Sequence, residues 1–137
     1  MRRSVGVVVD TDVASFLFKR DTRAQLYRPH LAGRAWVISF MTLTELRAWG
    51  LERNWGPALR ARLTRHLRRY LVQRTVEGLC QRWAAVLHGR RRAGRPIATA
   101  DAWIAATALY LGIPLVTHNA VDYQAIPRLT VLTAATP

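Results

Sequence analysis

Four short apolar runs punctuate the chain: Val5-Gly6-Val7-Val8-Val9, Trp36-Val37-Ile38-Ser39, Pro114-Leu115-Val116-Thr117 and Leu129-Thr130-Val131-Leu132. They are brief, rich in β-branched residues and apolar at successive positions, the pattern of strands covered on both faces in a parallel sheet. Between them the rhythm turns helical. Leu59, Leu63, Leu67 and Leu71 recur every four residues, with Arg60, Arg62, Arg65 and Arg69 on the other faces. Val76 to Leu87 and Thr99 to Leu111 carry the same helical signature. Strands alternating with helices predict an α/β fold around a mostly parallel sheet. No internal repeat, low-complexity stretch or long linker interrupts the pattern, so residues 1–137 are expected to form one domain.

Charge changes this picture more than size does. Twenty-one Lys and Arg face only eight Asp and Glu, a formal net charge of +13, and Lys19 is the only lysine. Such a balance predicts attraction to a polyanion, and arginine forks suit phosphate. A GC-rich genome accounts for the shortage of lysine but not for the shortage of acids. Cys80 stands alone, which excludes a disulfide framework and a Cys-based zinc site, and buried packing is its expected fate. The start, Met1-Arg2-Arg3-Ser4 and the following valines, meets Asp10 before a signal-peptide core can form. Trp103 to Val116 is too short to span a bilayer, so a cytoplasmic protein without a membrane partner is expected.

With so few carboxylates, their positions matter. Asp10 directly follows the first strand, where open α/β sheets bind ligands, and either it or Asp12 can cap the next helix. Glu45 follows the second strand among apolar and hydroxylic residues. Asp101 lies in the first turn of a helix with Thr99 as the expected N-cap, favoured there by the helix dipole. The surface around it is Ala-rich and packs closely, so this charge needs a partner. Asp122 follows the strand that ends at Thr117, either lining the same edge or capping a short helix. Carboxylates converging from successive strand ends make a hard-cation site suited to Mg²⁺ or Mn²⁺. A cation held there can orient water and neutralise charge on a phosphodiester.

The stretches Val8-Val9-Asp10-Thr11-Asp12-Val13-Ala14-Ser15, Ser39-x-x-Thr42-x-x-Glu45-Leu46, Ile97 to Ala108 and Leu115-Val116-Thr117-His118-Asn119-x-x-Asp122-Tyr123 resemble the PIN-domain family, in particular its VapC toxin ribonucleases. They fall in the family's order over nearly the whole chain. The resemblance implies a three-layer α/β/α sandwich and Mg²⁺-dependent endoribonuclease activity as the toxin of a type II toxin–antitoxin pair. It also implies RNA as substrate, a homodimer and neutralisation by a VapB-like antitoxin. It gives Asp10 and Asp101 to the metal and a supporting catalytic and metal-binding role to Glu45. Where the family often has a fourth acid, this chain has Asn119, which can still donate an oxygen; either it or Asp122, three residues on and a further catalytic candidate, completes the metal shell.

Other readings compete. Asp10-Thr11-Asp12-Val13 also resembles the nucleophile motif of haloacid-dehalogenase-type phosphatases, which would make Asp10 a covalent nucleophile. That class, like receiver domains, expects a later lysine, and none follows Lys19. A non-catalytic RNA- or antitoxin-binding module would keep the fold without the chemistry. An architectural DNA binder lacks any recognised motif here. His30, His66, His88 and His118 lack zinc spacing, and His118 reads as an exposed loop residue. Of the tryptophans, Trp49 and Trp55 are expected as an exposed pair that an antitoxin segment would cover. Arg90-Arg91-Arg92 with Arg95 read as a basic turn between helices.

Overall fold

A computed structural model describes residues 6–135, so Val5 of the first run and the Met1–Ser4 start lie outside the described residues. Five parallel strands form one sheet in the order β3-β2-β1-β4-β5. These are β1 (Gly6–Val9), β2 (Ala35–Ser39), β3 (Leu71–Gln73), β4 (Leu115–Val116) and β5 (Val131–Leu132). Six helices connect them: α1 (Thr11–Lys19), α2 (Ala24–Leu31), α3 (Phe40–Glu52), α4 (Pro57–Leu67), α5 (Glu77–Arg92) and α6 (Thr99–Leu111). A single 3-10 turn, Ala120–Tyr123, follows β4.

The valines of β1 explain the layering. Side chains alternate across a strand, so Val7 and Val9 enter one core with Phe16, Phe18, Tyr27, Ile38, Leu46 and Leu63. Val8 enters the other with Val37, Val86, Ile104, Ala105 and Leu115. Neither face of the strand meets water, which is why it reads as an unbroken apolar run. The result is the expected α/β/α sandwich.

Chain order within the sheet sets where a ligand can bind. From β1 the chain steps outward to β2 and β3, then returns to the other side of β1 for β4 and β5. The direction reverses between β1 and β4, and their carboxyl ends open a crevice there.

Several local expectations need correction. The leucine period runs on to Leu71, but the helix stops at Leu67. Tight i→i+3 bonds from Arg68, Arg69 and Tyr70 close it, and Leu71 opens a strand paired with Val37. Ala98, not Thr99, occupies the N-cap of α6. Arg90, Arg91 and Arg92 form the last turn of α5 rather than a loop. Cys80 is exposed, because the buried stripe of α5 is Leu79, Val86, Leu87 and Arg90, and the residue after Leu79 turns outward.

Candidate active site

Asp10, Asp12, Glu45, Asp101 and Asp122 line one open cavity of about 180 Å³, together with Thr11, Trp49 and Asn119. Five of the chain's eight acids therefore meet at the switch point, and no Lys or Arg lines the cavity. Cavities of about 380 and 370 Å³ lie between α5, α6 and residues 125–130 and contain no carboxylate. A neighbouring one of about 230 Å³ shares Asp101 and Asp122 and is lined by Arg90.

Each acid is placed by a different element. Asp10 ends β1 in extended conformation and caps α1, its Oδ1 accepting from Thr11 N–H at 2.7 Å. Its backbone N–H donates to Val116 O, which locks the ends of β1 and β4 together. Thr117 Oγ1 and Tyr123 Oη both donate to Asp10 Oδ2, at 2.7 and 3.0 Å. Asp12 sits inside the first turn of α1 rather than capping it. One of its oxygens accepts from Val13 N–H and the other from His118 N–H. Glu45 lies on the second turn of α3, held by a 2.8 Å bond from Thr11 Oγ1, which also pairs with Thr42 Oγ1. Asp101 stands in the first turn of α6 within 3.5 Å of Tyr123 Oη. Asn119 Nδ2 donates to Asp122 Oδ2 within the 3-10 turn. Arg90 reaches under that turn to donate to Asp122 O at 2.8 Å.

Electrostatics follow from this packing. Burial, then repulsion from Asp12, pushes the Asp10 carboxyl up to about 7. Burial, then Asp10 and the other acids, raises Asp101 to about 6. Asp12 is shifted upward too, mainly by burial. The Tyr123 hydroxyl is driven far above the ordinary phenol range by burial and the carboxylates around it, so it stays a donor. Among the described residues the one ion pair is Arg23–Asp21, outside the cavity. The acids are thus crowded, part-buried and, among the described residues, without an ion pair to any Lys or Arg.

That imbalance is the test of a cation. Asp10 has three donors on two oxygens, which leaves lone-pair capacity on Oδ1. Hard oxygen donors of this kind suit Mg²⁺. Among the described residues no three carboxylates already converge on one ion-sized point.

The structure brings the four sequence-predicted acids together. Asp12, Thr11, Thr117 and Tyr123 were not singled out for the site from sequence. Asp12 had a signal, since it lies two residues from Asp10 in the motif, but both were weighed as caps. His118 is not an exposed loop residue: its ring packs edge-on against Phe16 and Tyr27, and Tyr27 Oη bonds its Nδ1. Nor are Trp49 and Trp55 an exposed pair. Both are half-buried, Trp55 stacked on Phe18 and Trp49 at the rim of the acid cavity.

Comparison with known proteins agrees with this architecture. The chain is 34% identical over 104 residues to Ribonuclease VapC4 of Mycobacterium tuberculosis, covering 74% of this chain and 79% of that one. It is 31% identical over 126 residues to Ribonuclease VapC1 of Haemophilus influenzae strain R2866, covering 89% and 92%. In structure it resembles VapBC2 from Rickettsia felis, solved bound to a promoter DNA fragment, with a TM-score of 0.80 at 18% identity over 93% and 97% of the chains. VapBC-1 from nontypeable Haemophilus influenzae gives 0.76 at 25% identity over 93% and 96%. The PIN domain matches residues 7–128. A match that starts in β1 and ends beyond the Asp122 turn takes in every acid of the cavity, and the chain belongs to the PIN-domain family.

Proposed function

We propose that the chain is a Mg²⁺-dependent endoribonuclease, the toxin of a type II toxin–antitoxin pair. It would act in the cytoplasm as a homodimer silenced by a VapB-like antitoxin. One observation carries the reading: five of the eight acids of a chain with net charge +13 line one cavity at the sheet's switch point, and no Lys or Arg lines it with them. The relatives named as ribonucleases and the VapBC complexes of the same fold support the substrate class and the partner.

Asp10 and Asp101 would hold Mg²⁺, with Glu45 contributing through a water and Asn119 or Asp122 completing the set. When bound, the ion supplies charge neutralisation at the phosphodiester and orients water. Thr11 fixes Glu45 by one oxygen, leaving the other to orient the attacking water and accept its proton. The water oxygen bonds to phosphorus as one P–O ester bond breaks, and the departing oxygen takes up a proton. Thr117 and Tyr123 hold Asp10 in one orientation, so its position is preset before substrate arrives.

The test is incubation of total bacterial RNA with wild type and Asp101→Asn, each with Mg²⁺ and with EDTA. Discrete fragments only from wild type with Mg²⁺ are expected. Intact RNA in every lane from folded protein would favour a non-catalytic binding module, and equal cleavage by Asp101→Asn would remove Asp101 from the site.

A further inference from the structure

Glu45, Trp49 and Arg53 are spaced four residues apart along α3, so they share one face of the helix. Glu45 and Trp49 both line the acid cavity. Arg53, at the C-cap, lays its guanidinium over the Trp49 ring, with Cζ 4.9 Å from the centroid. Lys19, the last residue of α1, brings its Nζ to 5.6 Å from the same centroid. The only lysine of the chain and an arginine are thus gathered on one indole at the rim of the acid centre.

Both cations keep their donors unspent, as several other arginines do, but these two do so at the rim of the acid cavity. Arg23 is bound to Asp21, Arg62 to Phe18 O, and Arg90 to the carbonyls of Arg95 and Asp122. Among the described residues, Lys19 and Arg53 have no hydrogen bond or ion pair from their charged groups; the indole is their recorded partner. A cation–π contact restrains a cation while leaving its N–H donors unspent. Inside the cavity the same charges would pair with the acids and compete with a metal ion. Held on Trp49, they stand beside it.

We propose that Trp49, Lys19 and Arg53 form a phosphate-binding subsite that grips the RNA backbone next to the scissile phosphodiester. The inference rests on the ribonuclease reading above and adds where the flanking phosphates sit. Trp49 is the positioning residue, and Lys19 and Arg53 make the contacts. Arg69 supplies a matched control: its Cζ lies 4.3 Å from the Trp36 ring, on the amino-terminal half of β2 and away from the acids.

The experiment measures binding of a labelled, mixed-sequence single-stranded RNA oligonucleotide in EDTA as a function of salt, with unfolding midpoints recorded alongside. Each of Lys19→Ala and Arg53→Ala is expected to lower the slope of log K against log salt by about 0.7, and the double variant by about twice that. Trp49→Leu is expected to weaken binding by loosening both cations, and Arg69→Ala to leave the slope unchanged. In Mg²⁺, KM of the double variant rises while kcat changes less. A double variant with wild-type slope and affinity, from a wild type that cleaves RNA, overturns the subsite alone. A wild type that neither binds nor cleaves RNA overturns the ribonuclease reading, and the subsite with it.

Discussion

Asp10 and Arg90 are buried to the same degree, each with 6% of its surface exposed, yet their surroundings are opposite. Arg90 donates to two backbone carbonyls, Arg95 O at 2.6 Å and Asp122 O at 2.8 Å. Its charge is answered by fixed dipoles, as a structural pin requires. Asp10 accepts from three neutral donors that pull its carboxyl down, but burial first and repulsion from Asp12 second push it up to about 7. Burial alone does not mark a functional charge. What distinguishes Asp10 is that the protein leaves its field unanswered.

The sharpest break in this comparison is catalytic. Asp10→Asn keeps the shape of the carboxylate and removes its charge, so RNA cleavage is expected to fall about a hundredfold or more. Cleavage at the wild-type rate would move Asp10 to the structural side of the comparison. Arg90→Ala is expected to do the reverse, costing about 2–4 kcal/mol of stability in urea unfolding. Cleavage would fall by less, through the loosened Asp122 turn. An Arg90→Ala protein as stable as wild type would show that the two carbonyls find water without loss.

The third prediction concerns pH. Asp10 and Asp101 bind protons more tightly folded than unfolded, since both stand above the ordinary carboxyl value of 3.8. Their contribution to stability is therefore fully present below about 3.8 and is lost as pH rises through about 6 to 7. In EDTA the unfolding midpoint is expected to fall across that window, and Asp10→Asn to flatten the fall. Mg²⁺ is expected to raise the midpoint more at pH 8 than at pH 5. A pH-independent midpoint would remove the unanswered charge from the argument. The smallest effect on cleavage is expected from Thr11→Val, which removes the hydroxyl bonded to both Glu45 and Thr42. Cleavage drops by about tenfold or less, and the buried Thr42 hydroxyl left without that partner costs about 1–3 kcal/mol of stability.

Some of this was legible before any coordinates. A β-branched run ending in Asp10 announces a buried strand and a strand-end acid, because local pattern and sheet burial agree. Glu45 and Asp101 stand out by their apolar and Ala-rich neighbours for the same reason. Tyr123 and Thr117 do not, since their partner Asp10 is more than a hundred residues away in sequence and leaves no local trace. β3 was hidden because Leu71 continues a helical leucine period that the buried Tyr70 interrupts only in three dimensions. Arg90 had a readable signal: it lies four residues after Val86 and three after Leu87, on the buried stripe of α5. The run of three arginines around it suggested solvent instead.

The join between β1 and β4 also bears on when the centre comes into being. Asp10 leaves the ribosome well before the groups that orient it, since Thr117 and Tyr123 follow 107 and 113 positions later. A nascent chain that has not yet delivered β4 and the turn after it lacks half of the cradle around Asp10. Closing a contact of such sequence separation costs loop entropy that local helices do not repay early. The acid centre is thus completed only after β4 and the turn beyond it have been made.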